Sequence, residues 1–242
     1  MVITLNLFLL LKLLLLPLIY VVIIYLTAPN KTLNLKIAGL CFLAGILSTN
    51  FVQIYYAIFD VMVTSNFDKY FFSVAPREEI SKLLAYLCVI LSLKNRNIHP
   101  LSLMYYSGIV GLGFATFENF MYGMMYGEDI IIGRSFTATF GHLIFGLFLG
   151  YWVGLGKVDL GKYGNRSLFG FYMYKFKKLK MCIYTIIGLL CAIMYHGLWN
   201  YNLSVSWVAA SPIMILMIIF GLTISKFAST DLYNHHRKSL KK

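Results

Sequence analysis

The chain has 242 residues, 60% of them hydrophobic and only 12% charged, whereas a soluble domain carries roughly 25% charged residues; composition therefore rules against a water-soluble fold. With a mean hydropathy of +0.75, apolar stretches of about 20 residues recur along the whole length and leave no room for a separate aqueous domain. The net charge of +12 would suggest nucleic acid in a soluble chain, but here the basic residues sort by connecting loop and no nucleic-acid partner is needed.

The first segment, Met1 to Leu26, is leucine-rich like a signal sequence but lacks a basic start and a small-residue cleavage site. It reads as a retained span, with Lys12 and Pro17 leaving an interfacial or half-inserted placement open. Further apolar segments follow at roughly 37–59, 71–93, 101–126, 136–156, 181–201 and 205–226. In hydrocarbon every backbone polar group must be satisfied internally, and long apolar runs suit helices rather than an alternating barrel. The expected fold is an all-α, polytopic transmembrane helical bundle of about seven spans, forming a single membrane domain over residues 1–242 with its core over 71–201. Cys41, Cys88, Cys182 and Cys191 lie in apolar segments without CxxC spacing and are expected as buried free thiols.

Loop charge orients the bundle, because short cytoplasmic loops collect Lys and Arg. Alternate connections carry Lys31 and Lys36; Lys94 and Arg96; Lys157, Lys162, Arg166, Lys175, Lys177, Lys178 and Lys180 in the basic loop 157–180; and Lys226, Arg237, Lys238, Lys241 and Lys242 in and beside the tail 227–242. The others hold Lys69 with Asp60 and Asp68, Arg134 with Glu128 and Asp129, and no charge between Tyr201 and Ser206. The N-terminus is thus expected outside and the C-terminus inside, in a multi-pass protein of the cell membrane. Its basic loop and tail would touch anionic membrane lipid, and His235 and His236 read as solvated.

The third segment opens with Pro76-Arg77-Glu78-Glu79-Ile80-Ser81-Lys82. Glu78 and Lys82 are i,i+4 and Glu79 and Lys82 i,i+3, so these charges can neutralise one another locally, although intramembrane charge more often marks function. The fourth contains Phe117-Glu118-Asn119-Phe120-Met121-Tyr122, with Glu118 and Tyr122 on one helix face. Glu118 reads either as a protonated carboxyl bonded to a neighbouring helix or as a catalytic or ligand carboxylate. The fifth supplies His142, then Gly146, Gly150 and Gly154, a small-residue stripe for close helix approach. The sixth supplies His196-Gly197-Leu198-Trp199-Asn200, with His196 and Asn200 sharing a face. On the expected topology, Glu78, Glu79, Glu118, His142 and His196 all fall in the outer half of the membrane, given the helical rise of about 1.5 Å per residue. One layer on four helices points to one shared site.

These residues resemble the PrsW family of intramembrane proteases: Glu78-Glu79-x-x-Lys82, Phe117-Glu118-x-x-x-Tyr122, an isolated His142 and His196-x-x-x-Asn200, in that order. The double glutamate and the final His-x-x-x-Asn also resemble the wider superfamily of CAAX-prenyl endopeptidases and bacterial CPBP proteins associated with bacteriocin immunity. There the first motif has an arginine one residue later than Lys82 and the second usually reads Phe-x-x-x-His, so PrsW is closer.

The resemblance implies hydrolysis of a peptide bond in or just outside the membrane, with an anti-sigma factor as the family's substrate type and regulated proteolysis as the role. Glu78 or Glu79 would activate water, its partner being held by Lys82 or protonated. His142 and His196 would orient water or stabilise charge, Asn200 would donate to the oxyanion, Glu118 would tune the histidines, and Lys82 and Tyr122 would support them. Zinc held by His142, His196 and Glu79 is an alternative; with no His-Glu-x-x-His helix, the metal-free glutamate mechanism stands slightly ahead. Two other classes remain open, a proton-coupled transporter or channel and a non-catalytic membrane scaffold or immunity protein.

Overall fold

A computed structural model describes residues 7–28, 33–58, 63–93, 98–157, 177–205 and 207–240. Lys31, Asp60, Lys94, Arg96, Lys162, Arg166, Lys175, Ser206, Lys241 and Lys242 lie outside the described residues, as do the side chains of Lys177, Lys178, His235, His236, Arg237 and Lys238. The described elements are all helical: α1 (Leu7–Thr27), α2 (Leu35–Ile58), the single turn α3 (Asn66–Asp68), a wide π-type stretch Lys69–Val74, α4 (Ala75–Ser92), α5 (Pro100–Tyr126), α6 (Asp129–Lys157), α7 (Lys177–Val205) and α8 (Trp207–Leu240).

Local sequence sets several of these boundaries. Pro100 opens α5, where its missing N–H costs nothing, and His99 Nδ1 accepts from Leu101 N at 3.1 Å. Gly127 ends the same helix with φ +98, a left-handed conformation that favours glycine. Lys12 and Pro17 do not break α1: Lys12 Nζ meets Glu128 Oε2 at 3.2 Å, tying the start of α1 to the α5–α6 turn. Two expected boundaries move outward. α6 starts at Asp129, so Arg134 belongs to a helix and not to a loop, and α8 runs on to Leu240 through the expected tail.

Helices occupy all seven expected segments. Six of them, α1, α2, α5, α6, α7 and α8, are long and apolar enough to cross a membrane. α4 falls outside that set because it carries Arg77, Glu78, Glu79 and Lys82, all buried inside the bundle. The centre is α5, 94% buried over its apolar window, against 22% for α1 and 24% for α8. The outer helices present Leu26, Leu216 and Phe227 at 74%, 65% and 68% exposure, a surface only lipid would cover. Of the four free cysteines only Cys41 is buried; Cys88 and Cys182 are exposed, because a thiol is apolar enough to face hydrocarbon.

Close helix approach depends on the glycines. A Cβ on Gly146 would lie 2.5 Å from Ser107 O, on Gly150 2.6 Å from Met104 Cα, and on Gly154 2.8 Å from Pro100 O, so this stripe seats α6 on α5. On the other side a Cβ on Gly113 would lie 2.0 Å from Phe42 O of α2. Gly113→Ala is therefore expected to destabilise the bundle by about 1–3 kcal/mol through overpacking. Gly39→Ala, which meets nothing within 4 Å, should leave the melting temperature in detergent unchanged.

Candidate active site

The site begins with the way the chain enters α4. Lys69–Val74 winds as a π-type stretch directly before Ala75–Pro76, a local geometry that often accompanies functional positions. Phe71 is buried there against Gly197 of α7, where a Cβ would stand 2.8 Å from the ring. The first turns of α4 are thereby pressed onto α7, and Glu78 and Glu79 meet His196.

The two glutamates then separate. Glu79, with 0% exposure, receives Lys82 Nζ at 2.6 Å and His196 Nδ1 at 2.7 Å, both on Oε1. Glu78 makes no bond to Lys82 despite the i,i+4 spacing. Its Oε2 is buried with no hydrogen-bond partner among the described residues, 4.0 Å from His142 Nε2 and 3.8 Å from His196 Nε2. Glu118 Oε2 stands 3.2 Å from His142 Nε2. Asn200 Nδ2 lies 3.0 Å from His196 Nε2. Every residue named from the sequence thus falls in one constellation, on α4, α5, α6 and α7.

The partners assign the tautomers. His196 donates Nδ1–H to the Glu79 carboxylate and so presents a bare Nε2, onto which the Asn200 amide donates. Lys82 Nζ also lies 2.9 Å from His142 Nδ1; the ammonium donates, which leaves the His142 proton on Nε2, aimed at Glu118. One imidazole therefore carries an acceptor, met by Asn200, and the other an N–H, met by Glu118, on the edges nearest Glu78. Phe145 stacks on His196 with centroids 4.6 Å apart, and Phe114 lies 5.1 Å from His142, fixing both rings.

A further layer was not legible as such. Arg134 donates to Glu118 Oε2 at 2.7 Å and to Asn119 Oδ1 at 3.0 Å, and its guanidinium lies 3.6 Å from the centre of the Tyr122 ring. Asn119 in turn donates to Thr139 Oγ1 at 3.0 Å. Read as an outer-loop charge, Arg134 instead holds Glu118, and Tyr122 holds Arg134. The signal available was its place eight residues before His142, about two helical turns. Trp199 is the other addition: its indole Nε1 is buried without a partner among the described residues, and it lines the same cavity.

That cavity has a volume of about 300 Å³ and is lined by Glu78, Glu118, His142, His196 and Asn200, with Lys69, Tyr70 and Ser204 among its other walls. Glu78, His142 and His196 bring one ligating atom each to within 4.8 Å of one another, a donor set that suits a catalytic zinc with an open position. It is Glu78, rather than Glu79, whose oxygen groups with the imidazoles, because Glu79 is already engaged. His196 backed by a carboxylate on Nδ1 is the usual arrangement for a metal-binding imidazole. His142 would have to bind as its other neutral tautomer, with the proton on Nδ1 in place of Nε2 and the Lys82 ammonium turned away from Nδ1. The residues fit a metal.

A buried carboxylate facing two imidazoles, in a polar cavity between apolar helices, is an arrangement that can activate water inside a polytopic membrane protein. The PrsW family model, described as an intramembrane metalloprotease family, matches residues 33–224. The chain belongs to this family and is a multi-pass membrane peptidase. It is 27% identical over 170 residues to Protease PrsW of Oceanobacillus iheyensis, covering 69% of this chain and 70% of that relative. It is 30% identical over 126 residues to Protease PrsW of Shouchella clausii, covering 51% and 50%, and 24% identical over 137 residues to that of Clostridioides difficile, covering 55% and 51%. The last two alignments span about half of those relatives. No solved structure matches the chain.

Proposed function

We propose that this peptidase cleaves a single-span membrane protein, such as an anti-sigma factor, close to the outer face of the membrane, using water activated by Glu78. The observation that carries this reading is the position of Glu78 Oε2, buried, unpaired and between the two imidazole Nε2 atoms. A carboxylate so placed accepts a proton from water within reach of a bound peptide carbonyl. With His142 Nε2–H engaged by Glu118, the second amide hydrogen of Asn200 is the donor for the oxyanion that forms as water adds, and the Trp199 indole N–H is free to hold a substrate carbonyl. Proton return to the leaving amine falls to Glu78. Glu79 and Lys82 act through the histidines, fixing the tautomers that expose a lone pair on one ring and an N–H on the other.

A zinc ion held by Glu78, His142 and His196 would lower the pKa of its bound water to about 7 and polarise the scissile carbonyl. With Glu78 as a ligand, Glu118 would be the carboxylate available as proton acceptor, held in place by Arg134. The outward placement rests on the loop charges, with Lys157 and Lys226 at one end of the bundle and the cavity mouth at Lys69, Tyr70 and Ser204 toward the other.

The test is cleavage of a single-span substrate by the purified chain in proteoliposomes, with wild type active and Glu78→Gln inactive. Retained cleavage would overturn the assignment. Metal analysis of the same preparation decides between the versions: about one zinc per chain, lost in His196→Ala, supports the metal form. Arg134→Met should lower kcat about 10–100-fold with little change in KM, as loss of a group that orients a reacting one does. Arg134→Lys should rescue part of it, because charge survives while the two-pronged geometry does not.

A further inference from the structure

A second cavity, of about 660 Å³, lies on the other side of α6 from the site. Its walls come from α1, α5, α6 and α8. Leu143 and Ile144 of α6 face it, while His142 and Phe145 of the same helix line the catalytic cavity. α6 is therefore the partition between two distinct spaces.

The second cavity has two unlike ends. Ile24, Leu143, Ile144 and Leu222 make one end apolar. Tyr105, Ser225, Lys226, Ser229 and Thr230 make the other polar, with one cation. Helix register orders them: a Cβ on Gly221 would meet Ile144, and one on Gly154 would meet Leu232 and Pro100. The slot thus runs from the middle of the bundle toward the end where α5 starts and where Lys157 donates to Ile98 O. Between Gly221 and Leu232 α8 rises about 16 Å at 1.5 Å per residue, a length suited to a chain and not to a small solute.

Two observations call for an occupant with an acceptor on its head. Ser225 Oγ is buried with no hydrogen-bond partner among the described residues, which folded proteins seldom leave unsatisfied. Lys226 stands exposed at the rim, and the cavity lies beside α1 and α8, the two helices that present most of their surface to lipid. A ligand reaching it comes from the hydrocarbon. We propose that this cavity binds one acyl chain of an anionic phospholipid, with the phosphate at the Lys226 ammonium and the Ser225 hydroxyl. The apolar end takes the chain by burial and the cation supplies preference for negative headgroups.

Native mass spectrometry of the full chain in detergent, titrated separately with phosphatidylglycerol and phosphatidylcholine, tests this directly. The expected result is a single tight phosphatidylglycerol adduct, at least tenfold tighter than phosphatidylcholine. It should weaken at least tenfold in Lys226→Glu and in Leu222→Trp, which fills the slot from its exposed rim. Lys36→Glu, an exposed charge outside the cavity, should keep it, and circular dichroism should show every variant equally helical. Equal binding of the two lipids, equal loss in Lys36→Glu, or displacement by water-soluble glycerol phosphate at matched concentration would each overturn the proposal.

Discussion

Glu78→Gln is expected to reduce cleavage by about 10²–10⁴-fold, the contribution typical of a positioned proton-transfer group, while leaving thermal stability unchanged. The two halves of that expectation have separate causes. The amide is isosteric with the carboxyl, and Glu78 Oε2 makes no hydrogen bond that the substitution removes, so the fold loses nothing. The reaction loses the one unengaged carboxylate facing both imidazoles. Glu79→Gln differs in kind: it removes the charge that Lys82 and His196 both use, so stability and activity should fall together. Activity assays and melting curves on the two variants separate the roles; a stable, active Glu78→Gln protein would move the base elsewhere.

How much of this was readable beforehand depended on whether a signal was local. The helical segments were legible because each is a long apolar run, and the shared layer was legible because short motifs on separate segments could be placed by depth. The choice between Glu78 and Glu79 was not, since adjacent residues differ by 100° of helix rotation and only packing against α7 fixes which faces inward. Lys82 had two partners within reach, Glu78 at i,i+4 and Glu79 at i,i+3; the fold gives it to Glu79, which His196 also holds. Arg134 was misplaced for a similar reason. Hydropathy ends a span at the first charge, but the backbone continues as helix wherever a side chain can find partners, and Glu118 and Asn119 supply them. The second cavity carries no sequence signal, being made by four helices whose order along the chain says nothing of their contacts.

The largest effect on folding should come from Lys82→Met. Lys82 and Glu79 form an ion pair at 2.6 Å with side chains only 3% and 1% exposed; removing one partner leaves a buried, uncompensated carboxylate. Such breaks cost about 3–5 kcal/mol, enough to consume a large part of the stability of an ordinary domain. The loss comes from the charge left behind more than from the bond removed, so taking away the second charge should restore stability. Lys82→Met combined with Glu79→Gln is expected to melt near wild type, and the cycle of four proteins should show coupling of several kcal/mol. The amide oxygen introduced by Glu79→Gln still accepts from His196 Nδ1–H, which keeps that tautomer. His142 Nδ1, however, loses the Lys82 donor 2.9 Å away, so its proton is no longer held on Nε2 toward Glu118. The double variant should therefore fold and still cleave poorly. If it recovers full activity, the Lys82–Glu79 pair is only a structural tie; if Lys82→Met alone is as stable as wild type, the pair is not buried as described.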